Sequence, residues 1–326
     1  MRVLLVKLSS LGDVVHSLPA AMDLQAQIPD IQIDWVVEPS FAPLLKLCPA
    51  VKRIIPCNLR LWRKRWWRTD TRQAWRSFQQ DLQSTSYDAV IDLQGLSKSA
   101  LVSKLAKLTP NGKRYAMANR TEGSGYEAPT RWVADVAVSC EWHSHAIYRA
   151  RHVCAQAMGY ALPTPLQNGL QAMPHPDVPA RTVALVHGSS RAAKAWPLSH
   201  WQALAHALHQ QGFALALPHA IDSELHTAQA VASACPSAVI WPRCDLEELT
   251  HRLAACAGVV GVDSGVSHIA VALGLPHVQI YNFETAWRTG PMDCAWQQSI
   301  FAKPTPPTAA VLSTWAACMA SEAQQA

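Results

Sequence analysis

The chain has 326 residues, 49% hydrophobic and 16% charged, with a formal net charge of +5 at pH 7. That length suits two domains, and the apolar content can bury a sizeable core, which excludes a disordered chain. The modest positive excess names no partner by itself; its distribution along the chain matters more. The 9 cysteines are odd in number and include no Cys-x-x-Cys pair. Cys57, Cys154, Cys235 and Cys256 sit among apolar residues or in helix-like stretches, a pattern of reduced, buried thiols in a reducing cytosol rather than of a disulfide framework or zinc site. Lys7 interrupts the opening apolar run, so no export signal is expected. No apolar stretch reaches the roughly 18–20 residues that span a bilayer. Any membrane contact is therefore expected to be peripheral.

In chain order, Arg2–Leu8 reads as a buried strand and Val14–Gln27 as a helix. Ile33–Glu38, Val51–Pro56 and Tyr87–Leu93 read as strands, followed by helices over Ser97–Leu108 and His145–Met158. Leu162-Pro163-Thr164-Pro165 and the run from Pro174 to Pro179 can neither continue a helix nor donate to a sheet, and mark a semi-rigid linker. The pattern then repeats. Thr182–Val186, Phe213–Pro218, Ala238–Trp241, Val259–Val262 and Val278–Tyr281 read as strands. Leu198–Gln211, Ser223–Ala234 and Leu246–Cys256 read as helices, with a last helix over Thr308–Ala323. Strands alternating with helices imply parallel βαβ units. We therefore expect an α/β protein of two doubly wound, Rossmann-like domains facing across a cleft, with ligands at the carboxyl ends of the strands. The expected boundaries are 1–165, a linker over 166–180, a second domain over 181–306 and a terminal helix over 307–326.

Four segments could carry chemistry. Lys7-Leu8-Ser9-Ser10-Leu11-Gly12-Asp13 follows the first strand and opens a helix. Gly12 permits a tight turn, and Asp13 reads either as a general base aimed into the cleft or as an ordinary helix cap. The dinucleotide fingerprint is absent, since Gly12 stands alone. His187-Gly188-Ser189-Ser190, continuing to Lys194, offers small and hydroxyl residues whose N–H groups can approach a phosphate, and a lysine to neutralise it. It is not a Walker A loop. Gly261-Val262-Asp263-Ser264-Gly265-Val266-Ser267-His268 offers a second anion site at a helix start, or simply a capped helix with His268 packed inside. Finally, Arg60-Leu61-Trp62-Arg63-Lys64-Arg65-Trp66-Trp67-Arg68 interleaves cations with tryptophan, with Arg72, Trp75 and Arg76 beyond. That composition suits a bilayer interface, a nucleic acid, or a lid over an amphiphilic phosphorylated substrate.

Together and in this order, these segments resemble the lipopolysaccharide heptosyltransferases of glycosyltransferase family 9. The most specific pieces are Ser9-Ser10-Leu11-Gly12-Asp13, Asp34-Trp35-Val36-Val37-Glu38, Leu59–Lys64, Asp92-Leu93-Gln94-Gly95-Leu96, Asn119-Arg120-Thr121-Glu122-Gly123 and Asp263-Ser264-Gly265-Val266-Ser267-His268. The resemblance implies the GT-B fold and inverting transfer of L-glycero-D-manno-heptose from ADP-heptose to the inner Kdo of Kdo2-lipid A. It implies Asp13 as the base, and Ser189, Ser190, Lys194, Asp263, Ser264, Gly265, Val266 and His268 around the donor, with Glu224 as the ribose partner. It implies Ser10, Gly12, Arg60, Arg63, Lys64 and Arg120 around the acceptor. It also implies a cytoplasmic enzyme associated peripherally with the inner membrane. No carboxylate cluster dedicated to a metal stands out, so no metal cofactor is expected; nor is a nucleic-acid partner. Ser264 stands where the family has Thr, and Tyr281-Asn282-Phe283-Glu284-Thr285 lacks the usual Gly-Pro. The Arg- and Trp-rich stretch favours the family's first heptose addition over its second. A nucleotide- or nucleic-acid-binding module is the alternative from another class.

Overall fold

The computed structural model describes residues 1–189 and 191–324. Ser190 lies outside the described residues.

The first half forms β1 (Arg2–Val6), α1 (Leu11–Val15), α2 (Leu18–Gln27), β2 (Gln32–Val37), α3 (Ala42–Leu45), β3 (Val51–Pro56), α4 (Leu59–Lys64), α5 (Thr69–Leu82), β4 (Ser86–Asp92), α6 (Ser97–Leu105), β5 (Lys107–Met117), α7 (Pro129–Val133), β6 (Val136–Val138) and α8 (Ala146–Met158). The second half forms β7 (Thr182–Val186), α9 (Leu198–Gln210), β8 (Ala214–Leu217), α10 (Asp222–Ala234), β9 (Ala238–Ile240), α11 (Leu246–Ala254), β10 (Gly258–Val262), α12 (Gly265–Ala272), β11 (His277–Tyr281), α13 (Ala286–Thr289), β12 (Gln297–Phe301) and α14 (Thr308–Ala323). The chain separates into two compact units, Met1–Gly169 and Leu170–Ala326.

Each unit carries one six-stranded sheet, ordered β3-β2-β1-β4-β5-β6 in the first and β12-β11-β10-β7-β8-β9 in the second. All the pairings are parallel. Counted from its own first strand, the second sheet has the same order as the first, the doubly wound arrangement. The central strands are buried on both faces, hence their near-continuous apolar sequence. Leu4, Val6, Val36, Val90 and Phe78 belong to the first core. Val183, Trp201, Val260, Ile280 and Trp315 belong to the second.

Several expectations are corrected. The single helix over Val14–Gln27 is two, α1 and α2, parted at His16 and Ser17. Pro19 explains the break: its ring would clash with the carbonyl one turn back, and it has no N–H to donate there. The helix from Ser97 stops at Leu105, because Lys107 begins β5. The Arg- and Trp-rich segment is α4, a turn and α5. In it Trp62 is half-buried, packing against Trp75 and Phe78 with ring centroids 5.6 and 5.4 Å away, while Trp66 and Trp67 stay exposed.

Helix α14 returns to the second sheet, packing on β11, β12 and α9. Trp315 fills that seam edge-on to Phe213, with centroids 5.8 Å apart, and leaves no space for a Cβ on Gly258.

Candidate active site

In the first sheet the chain order reverses between β1 and β4: β1 leads outward to β2, and β4 leads outward to β5. Such a switch point opens a crevice at the carboxyl ends of its two strands. The segment after β1 enters it and is tied to the segment after β4. Leu8 and Ser9 N–H both donate to Gln94 Oε1 at 3.0 Å. Lys98, on α6, donates to Ser9 Oγ at 2.6 Å and lies 3.3 Å from Glu38 Oε1.

Asp13 begins as a cap. Its Oδ2 accepts from Ser10 N–H at 3.0 Å and Ser10 Oγ at 2.9 Å. Its Oδ1 accepts no hydrogen bond from the described residues of this unit. One oxygen is held and the other is left to a ligand, so the two readings of Asp13 are compatible. Burial alone would raise the Asp13 carboxyl, but Lys7, the Ser10 donors and Arg149 more than reverse this and hold it below its ordinary value. Gly12 is part of α1 beside it.

A wide groove adjoins Ser9 and Ser10. Ser97, Lys98, Glu38, Arg60, Arg63 and Arg72 also line it. Its apolar wall is Phe41, Leu59, Trp62, Trp66, Trp75 and Leu101. Of the residues expected around an acceptor, Ser10, Arg60 and Arg63 line this groove; Lys64 and Arg120 are exposed and do not. Lys98 and Gln94 were not anticipated as site residues. Nothing local marks Lys98: its contact with Ser9 spans 89 residues.

In the second unit the corresponding switch point lies between β7 and β10. The turn after β7 brings Lys194 Nζ to 2.5 Å from Asp263 Oδ2, after β10. His268 Nε2 is 3.4 Å from Asp263 Oδ1. Burial would raise the Asp263 carboxyl, but His268 and Lys194 hold it at about 2. Ser264 caps α12, its Oγ accepting from Ser267 N–H at 3.5 Å, while Gly265 and Val266 begin the helix. Their N–H groups are among those a helix cannot satisfy internally. Ser189 precedes the Lys194 turn, its Oγ accepting from Arg191 N–H at 3.4 Å. Glu224 stands in the first turn of α10, its Oε2 accepting from Ala220 N–H at 2.7 Å. Its carboxylate packs so closely on Gly188 that a Cβ there would collide with it. The loop after β11 supports the lysine turn: Asn282 Nδ2 donates to the carbonyls of Ala193 at 3.1 Å and Ala195 at 2.9 Å. This support occupies the position where the family's Gly-Pro was missing.

Among the described residues no group of three or more His, Cys, Asp or Glu could hold a metal ion. None of the described helices is long and apolar enough to cross a membrane.

Two doubly wound units, with candidate anion-binding loops at the switch point of one and a candidate base at the switch point of the other, are the architecture of the GT-B glycosyltransferases. Comparison with known proteins narrows the class. The model of glycosyltransferase family 9 (heptosyltransferase) matches residues 75–309. The lipopolysaccharide heptosyltransferase 1 of Pseudomonas aeruginosa is 38% identical over 284 residues, 86% of this chain and 78% of that protein. The structure of the E. coli heptosyltransferase WaaC with ADP superposes with a TM-score of 0.86 at 31% identity, covering 96% of this chain and 98% of the other. WaaC with ADP-2-deoxy-2-fluoro heptose gives 0.78 at 33% identity, with 93% of each chain covered. The chain belongs to glycosyltransferase family 9, the heptosyltransferases, and is an enzyme of that activity.

Proposed function

We propose that the protein transfers L-glycero-D-manno-heptose from ADP-heptose to the inner Kdo of Kdo2-lipid A, with inversion at the anomeric carbon. Asp13 is the observation that carries this reading: a half-buried carboxylate held below its ordinary value and bonded through one oxygen, beside a groove lined by both cations and aromatic rings. Those two chemistries match an acidic sugar joined to a lipid. The likeness to a heptosyltransferase 1 and to WaaC bound to ADP and to an ADP-heptose analogue supports the donor and the order of addition.

In the reaction, the acceptor hydroxyl gives its proton to Asp13 Oδ1 as its oxygen attacks the anomeric carbon. The bond from that carbon to the β-phosphate oxygen breaks on the opposite face, and its electron pair leaves on ADP. No covalent enzyme intermediate is needed. Lys194, Ser189 and the N–H groups of Gly265 and Val266 meet the charge growing on the diphosphate. Asp263 holds Lys194 with His268 behind it, and the diphosphate takes a share of that lysine on binding. Ser190 is a further diphosphate contact, and Glu224 receives the ribose. These groups supply the positive field themselves, so turnover is expected to persist in EDTA. Arg60, Arg63 and Lys98 meet the acceptor's acidic groups, and Lys64 and Arg120 those parts that project from the groove. The enzyme works at the cytoplasmic face of the inner membrane, which it meets peripherally.

The test is to incubate the protein with ADP-heptose and Kdo2-lipid A, then measure ADP release and the mass of the lipid. One added heptose is expected, with almost none from Asp13→Ala. Transfer only to an already heptosylated acceptor would assign the second addition instead, and inertness toward both would sink the proposal.

A further inference from the structure

Lys7 is a buried ion to which the chemistry above gives no part. It follows β1, is 4% exposed, and its ammonium makes one hydrogen bond among the described residues, to the carbonyl of Leu93 at 2.9 Å. A buried ammonium has three donors to satisfy and is costly to keep without a counter-charge. Two carboxylates are near enough to act on it, Asp13 and Asp92. The Asp92 oxygens are already taken: Oδ1 accepts from Gln94 N–H at 2.8 Å and Gly95 N–H at 3.1 Å, and Oδ2 from Ser99 Oγ at 2.8 Å. Asp13 has an unoccupied oxygen, and it lines the same small cavity as Lys7, with His16, Ser17 and Arg149.

We propose that Lys7 is a positioning residue for Asp13, a buried counter-ion that keeps the base ionised and faces it toward the acceptor hydroxyl. This rests on the reading of Asp13 as the base. The other charged groups facing the cavity have structural ties of their own. Arg149, on α8, donates from Nη1 to Thr121 Oγ1 at 3.0 Å. His16, just after α1, stands edge-on to His145, with centroids 5.9 Å apart. Lys98, on α6, does not line the cavity and is engaged by Ser9 and Glu38. Burial holds the Lys7 ammonium below its ordinary value, and Asp13 is the largest influence opposing that loss. The dependence is mutual, as linkage requires. The consequence for catalysis is a compromise: the carboxylate is a weaker base than an isolated one, and it stays in its productive form to lower pH than an isolated one would.

The experiment separates this pairing from the identity of the base. The Asp side-chain carboxyls are labelled with 13C and titrated by NMR in the parent and in Lys7→Met, with the Asp13 signal assigned by its loss in Asp13→Asn. The expected result is an Asp13 midpoint at higher pH in Lys7→Met, restored toward the parent in Lys7→Arg, with the acid limb of kcat/KM moving in step. An unmoved midpoint would overturn the proposal, whatever Asp13 does in turnover. A moved midpoint with an unmoved acid limb would leave the pairing standing and sink Asp13 as the base. The reciprocal measurement needs no change at Lys7. In Asp13→Asn, the labelled Lys7 Cε should titrate at lower pH, and an unchanged titration also overturns the proposal.

Discussion

At the scale of single residues, the two switch points divide the labour by charge. Asp13→Asn keeps the size and one acceptor of the side chain but cannot take a proton. Its kcat should fall by roughly 10²–10⁴, the usual worth of a positioned base, with donor affinity unchanged by calorimetry. A fall in donor affinity with kcat intact would contradict the assignment. Lys194→Ala removes the cation proposed to meet the diphosphate, and takes from Asp263 its lysine partner. A loss of roughly 10²–10³ in kcat/KM for the donor is expected, as for other groups aimed at developing charge. Because Asp263 is then a buried carboxylate short of a partner, Lys194→Ala should also lower the melting temperature, whereas Asp263→Asn combined with Lys194→Ala should recover part of that loss.

At the scale of elements, close packing near the strand ends sets what the loops can do. Gly188 follows β7 against the Glu224 carboxylate. Gly188→Ala must displace Glu224 from Ala220 N–H, and should raise the KM for ADP-heptose while leaving the fold intact by circular dichroism. His277, at the start of β11, is fully buried and donates from Nδ1 to Val259 O, 3.0 Å away. Burial pushes this imidazole down to about 3. Its folded value is below that of the unfolded chain, near 6.5, so the unfolded state takes up the proton first as pH falls. Stability is fully present above about 6.5 and is lost toward about 3, by up to about 1.4 kcal/mol per pH unit. Melting temperatures at pH 7 and pH 5 should differ in the parent and converge in His277→Gln.

Legibility followed the same division. β1, β7 and β10 are buried on both faces, and their apolar runs gave them away, while β2 and β4 were legible despite Asp34 and Asp88. β5, β6 and β12 escaped notice. β5 contains Pro110-Asn111-Gly112 and slips register between Tyr87 and Ala89 of its neighbour, β6 is a three-residue edge, and β12 after Gln297 alternates half-buried with exposed positions. Asp13, Lys194 and Asp263 announced themselves by residue type at a strand end. Gln94, Lys98 and Asn282 act across 85 residues or more, which no local pattern records.

At the scale of the whole molecule, the first unit carries the surface suited to a lipid. Trp66 is 69% and Trp67 62% exposed, among the exposed Arg65, Arg68, Arg72 and Arg76. Tryptophan favours the bilayer interface, and each cation near an anionic surface contributes about 1 kcal/mol. Trp67 and Arg65 do not line the groove. Trp67→Ser with Arg65→Ser should therefore weaken sedimentation with vesicles containing anionic lipid, by a margin that narrows at high salt as the charge contribution is screened, while transfer to a deacylated acceptor stays at the parent rate. Equal sedimentation of both proteins would place the membrane contact elsewhere. The return of α14 to the second sheet bears on synthesis. The first unit is one unbroken stretch, complete at Gly169, and at about 5–20 residues per second the ribosome leaves it many seconds to fold before the second is made. In the second, Trp315 of α14 fills the seam at Gly258 and Phe213, so that seam stays unfilled, with its apolar residues meeting water, until α14 has followed every strand of the sheet off the ribosome.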